Sequence, residues 1–400
     1  MRNNYFKQLQ RFFQFIYLFT ILSLLLVYYF STSKDFLINK IAFTVILIGT
    51  GFKFNFLDVD IKHLNIFIKK FKNNWLNCIN FFVQFFIFVG LLTNRYPVYL
   101  FKYIGLTNKN SVLTISGLLV AVTLSTIMLI SFVFTVTLPK IRGLFQCIVV
   151  STGIMVVYLA SFSLHNAIIG GLFGKIPYNL DFSLLSIIFV IIPIVYISLY
   201  NCQIKFPNFF KPTNKKYFLT LLPLLAIIFF IDSAIWLHPI ATWSVPDIST
   251  IIFSLRAGIG EEFIYRIFIM FIFISVLNEH KYGPIYALIV QALLFGLCHL
   301  VNIFSGDPVI STIASTIDAF GIGILFGTLY LLTKNIGSVV IIHCLWDLMQ
   351  SIVTGSGNMS VSGTEGFAIT IFVMTICIVY SGYLISKNLT CFKSTNARYL

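Results

Sequence analysis

Three short groups of residues near the C-terminus carry the chemistry of an otherwise inert sequence: Glu261-Glu262-x-x-x-Arg266, Phe295-x-x-x-His299 and His343-x-x-x-Asp347. Two carboxylates beside a guanidinium, an imidazole, and an imidazole beside a carboxylate are the groups that activate water, hold a divalent metal or stabilise an oxyanion. Each lies in an apolar run long enough to cross a bilayer. Hydrocarbon penalises an ionisable side chain by a few kcal/mol, so such residues face a bundle interior or a wet cavity.

Helical phase sorts these side chains. Glu262 and Arg266 are four residues apart, share a face and can pair. Glu261 is turned by about 100° from Glu262 and can point elsewhere, which makes it the candidate general base. The same three residues would also serve as a polar lock between helices. Phe295 and His299 share a face, with Asn302 one turn further on; read alone, His299 would suit a hydrogen-bonded packing role. His343 and Asp347 share a face too, and the carboxylate can orient the imidazole or simply bond to it. A zinc hydrolase needs about three protein ligands, one open position and a base. Glu261, His299, His343 and Asp347 could supply that set, with Zn or another divalent metal on His299 and His343. Without metal, Glu261 assisted by His299 would be the base and His343 the oxyanion site. Cys298 and Cys344 adjoin the motif histidines and read as small apolar filler, a thiolate ligand being the alternative.

The elements that must position these groups are membrane helices. Hydrophobic residues make up 58% of the 400 positions, 44 of them Phe, and only 10% are charged; mean hydropathy is +0.94. Long apolar runs without alternation predict an all-α, polytopic transmembrane bundle. Twelve spans are expected, near 12–31, 36–52, 76–94, 111–138, 144–164, 183–201, 217–236, 250–277, 285–304, 311–333, 337–352 and 367–386. The net charge of +14 comes from Lys and Arg flanking these runs, the pattern of cytoplasmic loops, and no basic-aromatic stripe points to nucleic acid. With the N-terminus inside, 19 of the 27 basic residues fall on inside segments and 6 outside. Both termini are therefore expected in the cytoplasm of a bacterial cell membrane, the bacterial source being suggested by the Phe, Ile, Lys and Asn bias of AT-rich codons.

Almost all the ionisable groups within spans follow residue 200: Asp232, Arg256, Asp318 and the motif residues. Residues 1–205 thus read as an N-terminal accessory bundle, 215–386 as the chemically active core and 387–400 as a cytoplasmic tail. The seven cysteines form no paired framework.

The three motifs, in this order and at these spacings, resemble those of the CPBP family of intramembrane endopeptidases, which includes CAAX proteases and bacteriocin-processing (Abi-type) proteins. The resemblance covers roughly residues 215–385. It implies a glutamate-dependent, metal-assisted intramembrane endopeptidase acting on a peptide or protein at the lipid bilayer, in peptide maturation or bacteriocin self-immunity. It makes Glu261 the catalytic base, His299 and His343 its water- or metal-binding partners and Asp347 the support of His343. Glu262 and Arg266 would hold the scaffold. Asp347 stands where the family commonly has Asn. Two other classes fit a bundle with intramembrane carboxylates: an ion-coupled transporter, against which the lack of an internal repeat weighs, and a non-catalytic scaffold or immunity factor.

Overall fold

The computed structural model describes residues 143–173, 243–354 and 363–393, with isolated positions elsewhere. Among these residues all regular structure is helical and there is no strand. The chain divides into two compact units, Met1–Cys202 and Gln203–Leu400. In the first, α1 (Leu144–Phe173) occupies the span expected at 144–164. The remaining spans expected before residue 240, and Asp232 with them, lie outside the described residues apart from isolated positions.

The second unit contains the motifs. α2 (Ile248–Glu262) opens on Asp247, whose carboxylate accepts hydrogen bonds from the Thr250 backbone N–H and hydroxyl, each at 2.7 Å. This satisfies donors that the first helical turn leaves unpaired. The helix continues without a break into a π-helical stretch, Phe263–Ile269, and then α3 (Met270–Leu277). A short turn leads to α4 (Gly283–Cys298), with Pro284 in its first turn, where the missing N–H costs nothing. A 3-10 stretch, His299–Ser305, ends at Gly306, whose φ of 98° admits the left-handed conformation that a side chain would disfavour. α5 (Val309–Thr333), α6 (Ile336–Thr354) and α7 (Gly363–Lys387) follow, and a 3-10 turn, Leu389–Phe392, closes the unit.

Among the described residues four helical segments are long and apolar enough to cross a membrane: Gly283–Phe304, Val309–Thr333, Ile336–Val353 and Gly366–Lys387. They coincide with the last four expected spans. The expected 250–277 span is helical throughout, but Arg256, Glu261, Glu262 and Arg266 lower its hydropathy and set it apart.

Packing places the motifs next to each other. α2 lies against α6, α3 against α4, α4 against α5, and α5 against α7. Small residues let these helices approach, as they do where lipid supplies no hydrophobic drive to association. A Cβ on Gly258 of α2 would run into Cys344 Sγ and come within 2.9 Å of the Cys344 backbone N. α2 and α6 are antiparallel, and the Ser244 N–H ahead of α2 donates to Ile352 O near the end of α6 at 2.9 Å. The two ends of the unit differ in charge. The turn after α3, the α5–α6 junction and the end of α7 carry Lys281, Lys334, Lys387 and Lys393 with Glu279. Among the described residues the opposite end carries Asp247 and Asp307 and no Lys or Arg.

Candidate active site

The first motif straddles the junction of α2 and the π-helical stretch, a helical form often found at functional sites. Glu262 Oε2 lies 2.9 Å from Arg266 Nε, and both side chains are fully buried. This is the pair expected from their spacing. Glu262 does more than hold the scaffold, because its Oε1 takes the Nδ1 of His343 at 2.8 Å, across 81 residues of sequence. A carboxylate paired with a guanidinium only accepts, so His343 Nδ1 carries the proton. The other ring nitrogen, Nε2, faces Glu261 Oε2 and Asp347 Oδ2, each at 3.7 Å. Asp347 therefore meets the imidazole at Nε2, while the position at Nδ1 that fixes the tautomer belongs to Glu262. Glu261 and Asp347 are 20% and 21% exposed against 0% for Glu262 and Arg266, so the cluster opens on the Nε2 side. The His343 ring is set between Phe326 and Phe295, with centroid separations of 5.5 and 6.3 Å.

His299 stands where α4 tightens into the 3-10 stretch. Its Nδ1 lies 3.0 Å from Phe295 O, and since a carbonyl only accepts, Nδ1 donates and Nε2 is left as the lone-pair nitrogen. The Phe295 ring joins the three motifs. It lies 5.2 Å from the His299 ring and 4.8 Å edge-on to Tyr265, and the Arg266 guanidinium sits 4.9 Å over its face. The cation over the aromatic face supplements the ion pair.

Glu261, Glu262, Arg266, His343 and Asp347 are thus in one cluster, with His299 across the Phe295 ring from it. Asp318 is buried on α5. Arg256 is half-buried with its guanidinium 4.5 Å over Phe253, and Cys344 lies against Gly258. Gln291, Phe326 and Trp346 belong to the site's surroundings and were not singled out from sequence. Gln291 had a signal: it is the one amide on the face of α4 that carries Phe295 and His299 at intervals of four.

Among the described residues no three His, Cys, Asp or Glu side chains are disposed to hold a divalent metal. His343 Nδ1 is engaged by Glu262, and His299 Nδ1 by its own helix. Both contacts leave Nε2 of each ring as the nitrogen that a metal, water or oxyanion would meet.

Residues 243–349 match the family model of the type II CAAX prenyl endopeptidase Rce1-like proteins. This match supports the CPBP/CAAX protease family, to which the three motifs point. The Rce1-like region begins just ahead of α2 and ends two residues beyond Asp347, so it contains all three motifs and stops short of α7. The family is one of endopeptidases, and the Rce1-like match supports a protease in a multi-pass membrane protein. No curated protein and no solved structure matches the chain.

Proposed function

We propose that the protein is a glutamate-dependent intramembrane endopeptidase that cleaves membrane-associated or exported peptides. The observation that carries this reading is the flanking of His343 Nε2 by two partly exposed carboxyl groups, Glu261 and Asp347, while Glu262 holds Nδ1 from behind. Glu261 removes a proton from a water whose other hydrogen is accepted by His299 Nε2. The water oxygen forms a bond to the scissile carbonyl carbon, and the carbonyl electron pair moves to oxygen. In the imidazolium form of His343, whose charge the surrounding carboxyl groups balance, Nε2–H donates to that oxyanion. Collapse breaks the C–N bond, and the proton held by Glu261 passes to the leaving amine, returning the carboxylate.

The charge distribution also suggests which side substrate comes from. The Lys-bearing end of the second unit is the cytoplasmic end by the positive-inside rule. Glu261 then lies about 16 Å below the outer surface, counted from Thr250 at about 1.5 Å per residue, and His299 is in the outer half. Substrates are accordingly exported peptides of a bacterial membrane, such as bacteriocin or pheromone precursors, rather than cytosolic prenylated proteins. Self-immunity to a bacteriocin is the related outcome.

Cleavage of such peptides is measured in membranes bearing wild type, Glu261→Gln, His299→Ala or chelator-treated protein. Glu261→Gln removes the proton acceptor and is expected to lower the rate by about 10²–10⁴-fold. Full cleavage by Glu261→Gln or His299→Ala rejects the reading. Loss of cleavage on chelation that zinc restores would assign a metal in place of the metal-free steps. Peptide flux across vesicles without hydrolysis would favour a transporter.

A further inference from the structure

Behind the motifs lies an amide that none of them includes. Gln291 is fully buried on α4, on the face that carries Phe295 and His299. Its Oε1 accepts from Arg266 NH1 at 2.8 Å, and its Nε2 donates to Gly323 O of α5 at 3.0 Å. The amide's orientation follows from its partners, since a guanidinium only donates and a carbonyl only accepts. Gly327, one turn beyond Gly323, gives it room: a Cβ there would come within 2.7 Å of Gln291 Nε2.

We propose that Gln291 is a positioning residue for the reaction, acting through Arg266 and Glu262 to fix the hydrogen bond at His343 Nδ1 and with it the direction of the His343 ring. The chain of contacts is continuous: Gly323 O, Gln291, Arg266, Glu262, His343 Nδ1. Neither Nε nor NH2 of Arg266 makes a hydrogen bond, so the NH1 bond to Gln291 and the ion pair of Nε with Glu262 are what direct the guanidinium. Without Gln291 the NH1 donor is left unpaired as well, and a guanidinium drawn toward other acceptors takes Glu262 with it. Helix α5, which carries no motif residue, thereby acquires a part in aiming the imidazole.

This inference rests on the protease reading for its consequence but not for its test. Gln291→Met keeps length and volume and removes both hydrogen bonds. In full-length protein labelled with ¹⁵N-histidine in detergent, the His343 signals, assigned by their loss in His343→Asn, are expected to change from a single hydrogen-bonded Nδ1–H to an exchanging pair of environments. In the cleavage assay kcat is expected to fall about tenfold or more, equivalent to about 1.4 kcal/mol, with KM unchanged. Gly327→Ala displaces the amide without removing a hydrogen-bonding group and is expected to give the same spectral change to a smaller degree; it decides the matter if Gln291→Met does not fold. Unaltered His343 signals in the folded variant overturn the proposal whether or not wild type cleaves peptide. A rise in KM alone, with the His343 signals unchanged, also overturns it.

Discussion

At the scale of single residues, the site is a chain of obligate donors and acceptors. Arg266 is a large cation with zero exposure, stabilised by Glu262 at 2.9 Å, Gln291 at 2.8 Å and the face of Phe295. Removing one member of a buried ion pair strands the other and costs about 3–5 kcal/mol, whereas replacing both is far milder. Arg266→Met is therefore expected to lower the detergent melting temperature sharply, and Glu262→Gln with Arg266→Met to recover most of the loss. The double variant should not cleave peptide, because it loses the charged acceptor at His343 Nδ1. An additive melting loss in the double variant would show that the two side chains act independently. Helical spacing was enough to predict the Glu262–Arg266 pair and to set Glu261 apart. It could not reveal that the second oxygen of Glu262 reaches His343, since that contact joins residues 81 positions apart and depends on how α2 meets α6.

At the scale of elements, hydropathy located the four apolar helices from Gly283 to Lys387 to within a few residues, because each is bounded by polar or turn-forming sequence. The π-helical stretch Phe263–Ile269 was not legible. Phe-Ile-Tyr-Arg-Ile-Phe-Ile has no Pro or Gly to mark a change of winding, and its buried side chains are held by packing rather than by local preference. The α2–α6 approach was equally hidden, although it assembles the site. Gly258→Ala should force these helices apart at Cys344 and Val340, with a destabilisation of about 1–3 kcal/mol typical of overpacking. Because Glu261 and Glu262 lie on one of these helices and His343 on the other, cleavage should fall more steeply than the melting temperature. Activity lost only in proportion to unfolded protein would disconnect this seam from the chemistry.

At the scale of the whole molecule, charge gives the second unit a direction. Single cysteines placed at Asp307 and at Lys281, in protein freed of its native cysteines, should separate under an impermeant thiol reagent on intact cells. The Asp307 position is expected to react outside, and the Lys281 position only after lysis; the reverse would turn the site toward the cytoplasm. The direction of the chain also bears on how the protein is made. A ribosome delivers α2 and the π-helical stretch to the membrane well before Gln291 or His343 exists. Because Glu262 and Arg266 neutralise one another within a single helix, that helix enters the bilayer with its costliest charge already balanced. Its later partners arrive to refine the geometry, and insertion need not wait for them.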